Sequence, residues 1–235
     1  MTSTWENIKV ENSNMRAYVS TPDNAQRVPA IVVVQGQTGV DDFVKFSDMV
    51  AREGFVAAAP DLYHRDPPDC KDDAPTRRMR LRDATVIQDI NATVSFLKSH
   101  KSVDPGRIGI VGFCMGGRIV YLMSAVNRDI RAGVMYYGGD TFSAWGGGSS
   151  PFERTKDIHC PIMGHFGEDD GNPSPADMKK LDAELTRLVK PHEFYSYPNA
   201  AHAFANFGSG NYREPAANAS WPRTFGFFAK HLKDA

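Results

Sequence analysis

The sequence predicts an α/β fold: a mainly parallel central sheet with helices on both faces. Three observations predict it. Apolar runs of strand length alternate with stretches of helical periodicity. The run Ala30-Ile31-Val32-Val33-Val34 is continuous rather than alternating, as a strand buried on both faces requires. The turns between runs are short, and no repeat or low-complexity tract interrupts them. With 235 residues, 41% apolar and 23% charged, the chain fits one globular domain over residues 1–235.

The elements follow in order. Trp5 to Val10 and Met15 to Ser20 are β-prone runs separated by Glu11-Asn12-Ser13-Asn14, the pattern of an edge hairpin. After the Ala30 to Val34 strand, Phe43, Phe46, Met49 and Val50 recur at helical spacing, and a second strand, Phe55 to Ala59, stops at Pro60. From Thr76 to His100 the apolar residues Val86, Ile90, Val94 and Leu97 predict one long helix with one buried face. Val103-Asp104-Pro105-Gly106 predicts a turn. Then come a strand (Arg107 to Phe113), a helix (Met115 to Ala125) and two strands (Ala132 to Tyr137, Pro161 to Phe166). A helix (Ala176 to Val189), a strand (Glu193 to Tyr197) and a closing helix (Ala216 to Leu232) complete the chain. Gly146-Gly147-Gly148-Ser149-Ser150 is the best candidate for a mobile loop.

Composition narrows the function. Lys and Arg total 27 against 28 Asp and Glu, a formal charge of −1, so nothing marks a nucleic-acid or anionic-membrane partner. Met1 to Val10 contains Glu6 and polar residues where a secretory signal would be basic and then apolar, and no run nears the roughly 20 residues of a membrane span. Cys70, Cys114 and Cys160 are odd in number, widely spaced and without a CxxC, which points away from a disulfide framework and toward a reducing cytoplasm.

Ligands of such sheets bind at the carboxyl ends of the strands, so chemistry is sought just after each apolar run. Gly112-Phe113-Cys114-Met115-Gly116-Gly117 joins a strand to a helix, and its small residues suit a sharp turn with Cys114 at the apex. There the sulfur projects near the positive end of the helix, which favours thiolate. Alternatively, Cys114 is a small buried hydrophobe and the glycines only let helix and strand pack. A nucleophile needs a base. Of the seven histidines, only His202 lies in a loop after the last strand and before the final helix. Glu168, Asp169 and Asp170 follow another strand end, and Asp170, third after Gly167, is the chosen partner. The order nucleophile, acid, histidine is that of the α/β-hydrolase fold. His159, Cys160, His165, Asp169 and Asp170 cluster in sequence, but a strand separates them and no paired-histidine motif appears, so no metal is expected.

Specific matches extend this reading. Gln35 ends the first central strand with Gly39 downstream; Pro60-Asp61-Leu62-Tyr63 follows the second; Tyr136-Tyr137-Gly138, Phe166-Gly167 with Asp170, and Tyr197-Pro198 before His202-Ala203-Phe204-Ala205 come in order through most of the chain. With the Cys114 segment, these resemble the dienelactone hydrolase family, also called carboxymethylenebutenolidases. The resemblance implies a Cys114, His202, Asp170 triad that opens a small lactone or ester through an acyl-enzyme, with an oxyanion held by the backbone N–H groups of Gln37 and Met115, and no cofactor.

Two positions depart from the family pattern. The family has a glutamate directly after the strand-end glutamine, which helps to activate the cysteine; here that position is Gly36. After the histidine, the dienelactone enzymes carry an arginine for the substrate carboxylate, where this chain has Asn206. Arg213 in the same loop is a candidate replacement, and Arg77, Arg78, Arg80 and Arg82 form a charge run whose expected fate is a solvated face. Tyr137, Trp145 and Phe204 are further candidate substrate contacts, Trp145 in a segment longer than the family's, read either as a pocket wall or as a surface insertion. The departures point toward another lactone, a neutral ester or an amide. A binding protein that keeps the fold without turnover, and acyl transfer to an acceptor other than water, are the rival functions.

Overall fold

The computed structural model describes residues 1–233. Eight strands form one sheet: β1 (Thr2–Val10), β2 (Ser13–Thr21), β3 (Val28–Val34), β4 (Val56–Pro60), β5 (Val103–Phe113), β6 (Ile130–Tyr136), β7 (Ile162–Gly167) and β8 (His192–Tyr197). Their spatial order is β1-β2-β4-β3-β5-β6-β7-β8. The β1–β2 hairpin is antiparallel, β2 runs antiparallel to β4, and all remaining pairs are parallel. The described residues also form six α-helices, α1 (Val44–Arg52), α2 (Ala74–Arg80), α3 (Asp83–Ser99), α4 (Met115–Val126), α5 (Pro175–Arg187) and α6 (Glu214–Phe228), of which α2 buries no residue and lies at the surface.

β3 shows why a continuous apolar run was needed. Ala30, Val32 and Val34 face one core with Val86, Ile90 and Val94 of α3 and Ile119 and Val120 of α4. Ile31 and Val33 face the other, with Phe46 and Val50 of α1 and Phe227 and Phe228 of α6. All five β3 residues are inaccessible to solvent. Each Val or Ile so buried contributes about 1.5–3 kcal/mol, and a polar residue in either phase would be left without a partner.

The single helix expected over Thr76 to His100 is two helices. Leu81 and Arg82 are extended (ψ 142° and 141°). The Asp83 N–H donates to the Trp145 carbonyl at 2.8 Å instead of to a carbonyl one turn back, so a tertiary bond replaces the helical one. The turn expected at Val103 to Gly106 is absorbed into β5. Val103 pairs with Val28 and Ile108 with Ala30, and this shifted register leaves a bulge in which Asp104 accepts from the Gly106 N–H. The closing helix begins two residues earlier than expected, contains Pro222, and runs on as a wider π turn over Ala229–Lys233. Among the described residues, no helix is long and apolar enough to cross a membrane.

Candidate functional site

The site lies at the carboxyl ends of β3, β5, β7 and β8. Cys114 follows β5 at φ 58°, ψ −119°, a strained backbone position for a residue with a side chain. Its N–H donates to the Tyr136 carbonyl at 3.0 Å and its carbonyl accepts from Gly117 at 2.9 Å, so both neighbours hold the strain. The turn closes only because its glycines have no Cβ. A Cβ on Gly116 would lie 2.4 Å from the Val34 carbonyl oxygen, and one on Gly117 would lie 2.7 Å from that of Tyr136. The elbow therefore sits against the ends of both flanking strands.

The same device brings the acid and the histidine together. A Cβ on Gly167 would lie 2.2 Å from the Ala200 carbonyl oxygen, so the loop after β8 passes directly over the loop after β7. Asp169 N–H then bonds the Ala200 carbonyl at 3.0 Å, and His202 Nδ1 donates to Asp170 Oδ2 at 2.9 Å. Of the three adjacent acids, Glu168 and Asp169 are exposed, while the Asp170 side chain is 1% exposed and also accepts from the Asn172 N–H at 2.8 Å. Burial pulls the His202 pKa down, but the interactions with Asp170 and Cys114 outweigh it and carry the value up to about 10.

Met115 is the first residue of α4, so its N–H has no intrahelical acceptor. The Gly36 carbonyl accepts from Gly39 N–H at 3.3 Å, which turns the Gln37 N–H of the same trans peptide the other way. Tyr63 donates its hydroxyl to the Gln37 carbonyl at 2.8 Å and packs beneath Arg77, so Gln37 is held from its other side as well.

Two cavities meet at Cys114, His202 and Gln37. One, of about 420 Å³, is walled by Phe43, Phe46, Phe113, Tyr137 and Phe207. The other, of about 440 Å³, includes Arg78, Met115, Asp140, Trp145 and Asn172. Position 36 faces the first: a Cβ there would lie 3.7 Å from the Cys114 Cβ and 3.1 Å from the Phe43 ring. The Phe43 ring thus holds the space into which a side chain at position 36 would grow. Asn206 lines the same cavity, its amide oxygen accepting from Gly208 N–H. Phe204 is fully buried behind the site, against Tyr136, Tyr137 and Tyr197. Arg213 is exposed at the start of α6 and lines neither cavity. Tyr137 reaches the first cavity from a positive-φ position beside His202.

The Trp145 segment is a wall of the second cavity, and it is fastened. Trp145 donates its N–H to Asp83 Oδ2 at 2.9 Å, and its ring stacks on the Arg118 guanidinium at 3.8 Å. In the sequence, Arg78 is undistinguished among four arginines, Phe43 and Phe46 carry only the periodicity of a helix face, and Arg118 and Phe207 belong to no motif. One signal was available for the phenylalanines, since they follow the first central strand, where this class of sheet places its ligands.

The chain matches the dienelactone hydrolase family model over residues 15–232. A Synechocystis relative, which its name assigns to the carboxymethylenebutenolidases, is 28% identical and covered over 98% of both chains. A Bradyrhizobium relative, whose name assigns it lactonase activity on 2-oxo-3-(5-oxofuran-2-ylidene)propanoate, is 29% identical over 97% of this chain and 94% of its own. A solved Klebsiella pneumoniae structure assigned as a dienelactone hydrolase superposes with a TM-score of 0.90 at 30% identity, covering 97% of this chain and 98% of that one. The chain therefore belongs to the dienelactone hydrolase family, and its fold is that of the α/β-hydrolases.

Proposed function

We propose that this lactone or ester hydrolase works through a cysteine nucleophile, with Cys114, His202 and Asp170 as its triad in one domain. The observation that carries the proposal is the position of Cys114, strained at the start of α4, on the same cavity walls as a histidine whose far nitrogen is bonded to a buried carboxylate. The raised His202 pKa supports an imidazolium in the resting site, held between Asp170 and Cys114. Activation in this form needs no carboxylate at position 36. Three free cysteines fit a reducing compartment such as the cytoplasm.

In the first half-reaction, the Cys114 sulfur bonds to the substrate carbonyl carbon, and the carbonyl electron pair moves to oxygen. The Gln37 and Met115 N–H groups are the donors offered to that oxyanion. Collapse breaks the carbon–oxygen bond of the leaving alcohol, which takes the His202 proton, leaving a thioester on Cys114. Neutral His202 then removes a proton from water as the water oxygen attacks the thioester; collapse restores the thiolate and releases the acid. Asp170 keeps the imidazole turned so that Nε2 serves both halves. For a lactone, the leaving alcohol stays tethered to the acyl group, and the second step frees both from Cys114 as one hydroxy acid.

Hydrolysis of p-nitrophenyl acetate by the wild type and by Cys114→Ala tests the proposal. Turnover that vanishes in the variant is the expected result; equal rates would overturn the cysteine mechanism.

A further inference from the structure

The two cavities differ in what they can hold, and together they specify a substrate class. The larger aromatic surface belongs to the first. Phe43, Phe46 and Phe113 form a contiguous stack, with ring centroids 5.5, 5.4 and 4.4 Å apart, and Phe207 extends it at 5.7 Å from Phe46. Phe43, Phe46 and Phe113 are at most 2% exposed and back this wall from the core, whereas Phe207, 45% exposed, is the ring left accessible on the cavity rim. The charged residues of this cavity wall, Asp41, Asp42 and Lys45, are all exposed, two acids against one base, and Asp41 is already bound by Arg16 at 2.8 Å. Among the described residues, no guanidinium lines it.

The second cavity does contain a guanidinium, but its charge is committed. Arg78 bonds Asp140 at 2.6 Å, and Asn172 donates to the other oxygen of the same carboxylate at 3.3 Å. A substrate carboxylate reaching the other N–H groups of Arg78 would lie beside the Asp140 anion, and that like-charge repulsion weakens its binding. Arg82, the next guanidinium along, turns to the Met79 and Leu81 carbonyls.

We propose that the substrate is an uncharged ester or lactone carrying a flat, apolar group, which seats on the Phe207 ring at the rim of the first cavity with the carbonyl at Cys114. Phe207 is then a specificity-determining residue, and the Arg78–Asp140 pair disfavours carboxylated relatives of the substrate. The proposal rests on the hydrolase reading for turnover but not for binding, and the test separates the two.

The probes are 4-acetoxybenzamide and 4-acetoxybenzoate, matched in shape and different in charge. Their kcat/KM values on the wild type, each divided by the hydroxide-catalysed rate, should favour the amide by at least about tenfold. Binding of the same pair to Cys114→Ala, by calorimetry, should show the same preference. Phe207→Ala should weaken binding of the amide by about threefold to tenfold and raise KM more than it lowers kcat. Asp140→Asn, which frees Arg78, should shift the preference toward the benzoate. A benzoate preference in the wild type, or amide binding indifferent to Phe207→Ala, would overturn the assignment. Amide-selective binding without Cys114-dependent turnover would leave the cavity assignment standing and sink the hydrolase mechanism instead.

Discussion

The guanidinium of Arg118, wholly inaccessible to solvent, closes on Asp83 through two hydrogen bonds of 2.6 and 3.1 Å. Its Nε and Nη2 also donate to the carbonyls of Asp140 and Ser143, so α4, the start of α3 and the loop after β6 are tied at one point. Arg118→Leu strands the Asp83 carboxylate and should cost about 3–5 kcal/mol in urea denaturation. The double variant Arg118→Leu/Asp83→Leu should recover much of that loss, because no buried charge remains. A single variant with unchanged midpoint would show that the pair contributes nothing.

Gly116 should tolerate no side chain at all. The 2.4 Å approach of a Cβ to the Val34 carbonyl oxygen is to backbone, which cannot rotate away, so Gly116→Ala should lose at least about 1–3 kcal/mol and most activity. Gly226, inside α6, provides the contrast. Among the described residues, nothing lies within 4 Å of its added Cβ, and Gly226→Ala should gain about 0.5–1 kcal/mol through helix propensity. Thermal and urea unfolding of both variants would reveal opposite signs; a neutral Gly116→Ala would contradict the close approach.

His165 sets an acid limb to stability. It is fully buried, between the Tyr197 hydroxyl at 2.8 Å and the Thr224 hydroxyl at 3.0 Å, and burial, with the Arg223 charge, lowers its pKa to about 3. Below the ordinary value of 6.5 the unfolded chain binds a proton that the folded chain refuses. The stabilisation is therefore complete above pH 6.5 and is lost as pH falls toward 3. Urea midpoints should drop between pH 6.5 and 4 in the wild type and drop less in His165→Gln. Equal slopes would place the acid sensitivity elsewhere.

Asp170→Asn keeps the shape of the triad but removes the charge that the imidazolium faces. kcat should fall by roughly 10²–10⁴-fold. The His202 resonance should titrate well below its raised value of about 10, because one of the two partners that raise it is gone. An NMR titration reads this directly, and an unmoved His202 pKa in the variant would rule out Asp170 as the orienting group.

Much of the fold was legible because periodicity is local. β3 declares its burial on two faces in five consecutive apolar residues, and Gly112 to Gly117 declares the elbow through residue size. The break at Leu81–Arg82 was not legible, since its cause is a bond between Asp83 and Trp145, 62 residues apart. The same reason hid Arg118, an arginine in an otherwise apolar helix whose partners come from two other segments. Sequence also marked Gly36 as a departure without saying what replaces the missing side chain; that Phe43 takes the space depends on how the loop after β3 folds back.

Rapid quenching of the wild type with p-nitrophenyl acetate, followed by digestion and mass spectrometry, tests the cysteine mechanism most directly. One acetyl group on the peptide containing Cys114, formed in the first turnover and absent from His202→Gln, is the predicted result. An acetyl group on another residue, or steady turnover with Cys114 never acylated, would contradict it.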